Sequence, residues 1–339
     1  MFRYITKSIL LLFVLVFICC VVYPLVLWGI GQTVFPFQAN GSILKGPDGK
    51  PVGSRIIAQP FTKDEYFQPR PSAASYDASN SSSSSLAASN YVLRDRVART
   101  LGPIMKYRGG PKAGQPVAPD IESWFQKDLY QDKPHIVAQW ANLHNSLAQA
   151  WVTGDPTHAA YVDDWTKAHP DLVAKWIKEN PGTPEPKAAD LAVLFFENFS
   201  NDNPGKFPAG VTETGKDGKA QTTIKPVNEG SDIQSTFCLM WREEHPEAAL
   251  EDVPGDLVMA SGSGLDPHVT LQNAEYQLDR VSSKWAANLK REPSGVRKEI
   301  EQILQQNASA PWGGLAGEKF VNVLEVNLSL RKRYGEPQG

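Results

Sequence analysis

No charged side chain occurs between Ser8 and Leu44, and the middle of that stretch, ILLLFVLVFICCVVYPLVLWGI (Ile9 to Ile30), is apolar almost throughout. Crossing the hydrocarbon of a bilayer takes about 20 such residues in a helix, because lipid offers no partner to an unbonded backbone amide. The sequence therefore predicts a membrane anchor over residues 1–39, with a transmembrane helix at about 9–30. Arg3 and Lys7 precede the helix and Lys45 is the next cation. The positive-inside rule then puts the N-terminus in the cytoplasm and everything after the helix outside. A cleaved signal peptide would begin with the same charges. Its apolar region spans only roughly 7–15 residues, however, and ends at a small-x-small site, and neither feature fits here. A lipoprotein site fits no better, since Ile18 and Cys19 precede the two adjacent cysteines.

The rest of the chain falls into stretches of different composition. Residues 40–110 open with a hairpin pattern around Pro47-Asp48-Gly49, continue as a Pro-rich extended segment, and pass through a polar link, Ser79 to Asn90. Asn90 then caps a helix with Leu93, Val97 and Leu101 on one face. Residues 111–250 differ in kind. They hold six of the nine tryptophans and five of the six histidines, and carry 12 basic against 20 acidic side chains. Short helical patterns ending in His-Pro and Asn-Pro, followed by a surface hairpin or loop near 200–230, predict an acidic and mainly helical insertion. It reads as a module peculiar to this chain. Residues 251–335 return to a regular pattern, and 336–339 form a tail. Thr270 opens a helix whose apolar face is Ala274, Leu278, Val281, Trp285 and Leu289, and Ser294 caps a second with Val296, Ile300, Ile303 and Leu304 inward. Alternation of Leu324, Val326, Leu328 and Leu330 with polar residues predicts a strand. The fold class is α+β: one membrane helix, then an extracytoplasmic α+β domain (40–110 with 251–335) carrying the insertion.

The stretch DLVMASGSGLDPH (Asp256 to His268) contains the residue types of an active site. A nucleophile elbow needs G-x-S-x-G, and Ser261 stands where the first glycine should be for Ser263. Asp266 and His268 stand too close in sequence to orient each other as triad members, and Asp266 is better placed to cap the helix near Thr270. The Gly/Ser turn itself, Ser261, Gly262, Ser263 and Gly264, is a candidate anion or nucleotide cradle, or simply a turn whose glycines permit positive φ. No complete Walker A occurs, since GPDGKP and GKDGKA lack the final Ser/Thr, and the phosphorylated-Asp motif of a P-type pump is absent. His135, His144 and His158 are scattered and without metal-ligand spacing. A net charge of -3 offers no footprint for nucleic acid, and without a C-x-x-C pair neither a disulfide framework nor a zinc knuckle is available. The insertion's tryptophans are expected in its core rather than along a glycan groove.

Four segments, in order, resemble the KdpC family, the C subunit of the bacterial Kdp potassium-transporting ATPase: VYPLVLWGIGQTVFPFQANGSI (Val22 to Ile43), VGSRIIAQPFTKDEYFQPRPSA (Val52 to Ala73), GDLVMASGSGLDPHVTLQNAEYQLDRV (Gly255 to Val281) and VNVLEVNLSL (Val321 to Leu330). The resemblance implies a single-span subunit of the inner membrane that is no enzyme on its own. Its implied partners are a channel-like potassium-binding subunit, a P-type ATPase subunit and a small membrane peptide, besides membrane lipid. ATP and potassium would be handled by the complex, with this subunit as a catalytic chaperone that promotes ATP use. It also makes Gln59, Arg70, Asp266, His268 and Gln277 candidate partner contacts, Arg70 being held between two prolines for pairing with a partner carboxylate. Where the family carries Gly-Gly-Ser-Asn-Leu this chain has SSSSSLAASN, so a shared role there is in doubt. The reading of a different class is a membrane-anchored envelope hydrolase using Ser263 or His268.

Overall fold

A computed structural model describes residues 2–87, 90–214, 220–315 and 317–337. Several of the sequence readings touch residues beyond these: the first residue of the anchor (1), part of the Ser-rich link (88–89), most of GKDGKA (215–219), one residue of the 251–335 stretch (316) and half of the tail (338–339). The chain folds as a helix-and-sheet protein in two units, Met1–Ser85 with Val253–Gly339, and Leu86–Asp252. The second unit thus begins at Leu86 and takes in the Asn90-capped helix.

The first unit starts with a continuous helix from Phe2 to Val34, interrupted in pitch by a π-helical turn at Ile18–Val22. That turn has a local cause. Pro24 lacks an N–H and its ring crowds the carbonyl four residues back, and the wider turn, with Tyr23 N–H bonded to the Ile18 carbonyl, relieves the conflict. The helix from Arg3 to Val34 is long and apolar enough to cross a membrane, and none of its most apolar window is buried.

Three helices form the core of this unit: Leu271–Leu289, Pro293–Asn307 and Val323–Tyr334. A two-stranded antiparallel ladder, His268–Thr270 with Phe320–Asn322, joins them. The periodic residues Ala274, Leu278, Val281, Trp285, Val296, Ile300 and Leu304 are buried as their spacing predicts. Thr270 caps the first helix by accepting from the Asn273 N–H at 3.1 Å. Asp266 takes no part in that cap; it is Asp256 that accepts the Thr270 amide (2.7 Å) and hydroxyl (3.1 Å). Ser294 is not a cap either, because Pro293 already occupies the first helical turn behind Glu292. The strand expected through Leu330 is a strand only to Asn322 and then a helix. Asn322 accepts the Glu325 N–H at 3.2 Å, an N-cap that the alternating pattern concealed. The side chains actually buried, Val323, Leu324, Val326, Asn327 and Leu330, are spaced at helical intervals.

Among the described residues of the Leu86–Asp252 unit, eight helices of eight to fourteen residues and a long hairpin, Phe207–Thr214 with Ala220–Val227, enclose an aromatic core. Trp140 packs edge-on to Phe196 and Phe207, and Phe195, Phe199, Phe237 and Trp241 are buried with it. Asn90 caps its helix as predicted, accepting from Val92 N–H at 2.9 Å. Four helices end by one device, an aromatic residue, three others, then His or Asn, then Pro. The His or Asn ring or amide lies on the aromatic residue's carbonyl: His169 on Trp165 (2.8 Å), Asn180 on Trp176 (2.9 Å), Asn203 on Phe199 (3.1 Å) and His245 on Trp241 (2.8 Å). The following proline forbids the α conformation for the residue before it. The side chain then occupies a carbonyl that the next turn would have used.

Candidate functional site

The site most fully built lies in the first unit, around Asp256–His268 and the extended segment Arg55–Tyr76. That segment has almost no secondary structure, so its backbone groups must be satisfied otherwise. Helix side chains satisfy them. Asn327 accepts from Phe67 N–H and donates to its carbonyl, both at 2.9 Å. Gln277 does the same for Gln68 at 2.8 and 3.1 Å. Trp285 Nε1 donates to the Glu65 carbonyl at 2.7 Å, and Arg280 to those of Asp64 and Tyr66.

Segment and loop then meet. Ala58 N–H bonds the Leu265 carbonyl (2.8 Å), and Ser72 Oγ donates to the Gly264 carbonyl (2.5 Å). The turn closes with Gly264 N–H on the Ser261 carbonyl. Only Gly264 of its two glycines has positive φ, +71°, and a Cβ there would stand 2.5 Å from the Ser82 carbonyl. The Ser-rich link contributes directly, since Ser82 N–H and Ser81 Oγ both donate to the Ser263 carbonyl. The amides of Gly264, Leu265 and Asp266 are spent inside the turn, the last two on Ser263 Oγ and Ser261 Oγ.

Asp266 and His268 do orient each other, contrary to the expectation from their spacing. Asp266 Oδ1 lies 2.9 Å from His268 Nδ1 and accepts the His268 N–H at 3.0 Å, with Pro267 bridging the bend. The bond from His268 holds the Asp266 carboxyl below the ordinary carboxylate range; partial burial opposes this and Arg70 reinforces it. Phe320 stands edge-on to the imidazole. No hydrogen bond among the described residues joins His268 to a serine, and Ser263 Oγ already faces the Leu265 amide. The catalytic reading of the loop gains nothing from this geometry. Among the described residues no group of His, Cys, Asp and Glu could hold a metal.

Arg70, Asp266 and His268 lie where two concavities adjoin. One, of about 450 Å³, is also lined by Asp256, Glu318 and Phe320; the other, of about 520 Å³, by Ile56, Ile57 and Ser261–Ser263. The Arg70 guanidinium donates to the carbonyls of Met259 (3.3 Å) and Ala260 (3.1 Å), so within the chain it fastens the loop. Gln59 is half-buried at the hairpin, its Oε1 close to Gly53. Gln277 is 5% exposed and bonded to its own chain at both ends of its amide. Asp256, Glu318 and Ile56 line the cleft and were not singled out from the sequence. Asp256 lies in one family-like segment and Ile56 in another, while Glu318 carries no pattern.

A family model described as the K+-transporting ATPase c chain, KdpC, matches residues 5–122 and 231–332. The chain belongs to this family. Among curated proteins, the potassium-transporting ATPase KdpC subunit of Pseudomonas aeruginosa strain PAO1 is 46% identical over 99 residues, 29% of this chain and 54% of that protein. That of Caldanaerobacter subterraneus subsp. tengcongensis is 39% identical over 122 residues, 36% and 61% of the two chains. The match thus spans little more than half the length of these relatives. The KdpC subunit of Clostridium kluyveri is 25% identical over 335 residues, 98% of this chain and 96% of its own. Its alignment runs through the region the family model leaves out, so the central stretch is not peculiar to this chain.

Proposed function

We propose that this chain is a non-catalytic, membrane-anchored accessory subunit of an ATP-driven potassium uptake complex. It assembles with a channel-like potassium-binding subunit, a P-type ATPase subunit and a small membrane peptide. The observation that carries the reading is the family match over residues 5–122 and 231–332, joined to one apolar helix at the N-terminus. Arg3 and Lys7 ahead of that helix support an inner-membrane topology with the bulk of the chain outside the cell. ATP is then on the other side of the membrane from the Gly/Ser turn, so promotion of ATP use is indirect, through stabilisation of the assembled pump. The cleft around Arg70, Asp266 and His268 is the docking contact in this reading, with Ile56 as its apolar rim.

Affinity purification of the tagged chain from its native membrane under potassium limitation tests this. Recovery of a P-type ATPase subunit and a potassium-binding subunit is expected, with ATPase activity that is lost when this chain is deleted. A chain that purifies alone would sink the proposal. Asp266→Ala with His268→Ala should reduce co-purification on the order of tenfold, as expected for an interfacial anchor, while the isolated chain keeps its fold.

A further inference from the structure

The hairpin Ile43–Lys45/Pro51–Ser54 follows the apolar helix with only residues 35–42 between. It is fixed on the helix Val323–Tyr334: Arg55 pairs with Glu325 at 3.0 Å, Asn322 Nδ2 donates to the Arg55 carbonyl at 2.7 Å, and Gly53 lies against Leu324. Between the hairpin turn and the helix is a concavity of about 450 Å³, lined by Lys45, Gly46, Pro47, Leu328, Ser329 and Lys332. The neighbouring cations have carboxylates: Lys50 has Asp48, Arg331 has Glu336, and Arg333 has Glu299. Lys45 and Lys332 have no such partner among the described residues, and both are exposed. Two unpaired ammonium groups facing one concavity, with Pro47 and Leu328 as apolar walls, match a ligand with one phosphate and an aliphatic body.

We infer that this pocket holds the phosphate of an anionic phospholipid headgroup. Inorganic phosphate has the same charge chemistry, but the pocket directly follows the apolar helix and has apolar walls, which favours the lipid. The inference rests on the proposed membrane anchoring. A lysine near an anionic lipid surface contributes enough for about a fivefold gain in affinity, so two give roughly thirtyfold.

The test is native mass spectrometry of the full-length chain in detergent, titrated with phosphatidylglycerol, with phosphatidylcholine, and with inorganic phosphate as competitor. The wild type should retain one phosphatidylglycerol in preference to phosphatidylcholine. Lys45→Gln with Lys332→Gln should bind it at least tenfold more weakly with an unchanged circular dichroism spectrum, and Arg3→Gln with Lys7→Gln should keep it. Equal retention by the Lys45/Lys332 variant, no preference between the lipids, or a loss that follows Arg3 and Lys7 instead would overturn the inference. Full displacement by millimolar phosphate would assign the pocket to the free anion and overturn the lipid. Flotation of the full chain with phosphatidylcholine vesicles tests anchoring separately: a chain that fails to float removes the anchoring itself, whereas a floating chain with an indifferent variant removes only the pocket.

Discussion

The two units solve the same problem, hiding apolar surface from water, in opposite ways. The Leu86–Asp252 unit is continuous in sequence. Short helices, four of them closed by a His-Pro or Asn-Pro signal, cover a core of large rings such as Trp140, Phe196, Phe207 and Phe237. The other unit is discontinuous, and its extended segment is seated by amide side chains from residues far along the chain: Phe67 on Asn327 is a contact across 260 positions. A core of rings tolerates sequence drift provided volume is kept. A backbone held by particular amides does not, because a buried amide without its partner is costly. This difference parallels the comparisons. The family model matches both parts of the discontinuous unit and the two ends of the other, 86–122 and 231–252, but omits its middle, 123–230, while the Clostridium relative aligns through that stretch at only 25% identity overall.

Substitutions in each core distinguish the two modes of packing. Trp140→Ala should cost the central unit about 3–5 kcal/mol, seen as faster amide exchange confined to 86–252 in the full chain; exchange rising equally around Trp285 would show that the cores are not separate. Asn327→Leu leaves the buried Phe67 amide and carbonyl without partners and should destabilise the other unit by about 2–3 kcal/mol, measured by chemical denaturation. If it is neutral, the amides are not what seats the segment. Gly264→Ala combines a positive φ with a clash against the Ser82 carbonyl and should cost about 1–3 kcal/mol, with a matching loss of co-purified pump subunits. His169→Ala and Asn180→Ala should each cost about 0.5–1.5 kcal/mol, lowering the central unit's unfolding midpoint without touching the other's.

The smallest effect is one of pH. A hydrogen bond from Arg291, with Tyr334 and Arg333 adding, holds the Glu299 carboxyl at about 2, below its ordinary 4.5. Since the folded value is depressed, its stabilisation is present above about 4.5 and is lost as pH falls from there through about 2. The arginines paired with it lie at the surface, so screening limits the effect to within about 1 kcal/mol. Glu299→Gln should flatten the stability profile in that window alone. An unchanged profile would show that the ion pairs are idle.

Much of the candidate site was legible in parts but not as a whole. Arg70, Asp266, His268 and the Gly/Ser turn all line or close one cleft, and the turn's chemistry explains Gly264. Gln277 carried the same motif signal yet is an internal strut, because a motif does not tell an amide that faces a partner from one that holds its own backbone. Asp266 and His268 form the pair that their spacing argued against, since the bend at Pro267 brings a side chain back onto the amide two residues on, as Asx turns do. Glu318 reaches the cleft only through the ladder that pairs Phe320 with Thr270.

What the sequence determined by itself is what short-range free energies decide. An uncharged apolar run of such length favours one continuous helix long enough to span a membrane. The threefold and fourfold apolar spacing set the faces of Leu271–Leu289 and Pro293–Asn307, and Asn90 and Thr270 capped what followed them. Tertiary structure decided what two local energies leave nearly balanced or what a distant partner supplies. Residues 323–330 satisfy a strand's alternation and a helix's spacing equally well, and the burial of Asn327 against Phe67 selects the helix. The prolines of Arg55–Tyr76 keep that segment extended, but where it lies is decided by Asn327, Gln277 and Trp285, which bond its backbone where no strand or helix does.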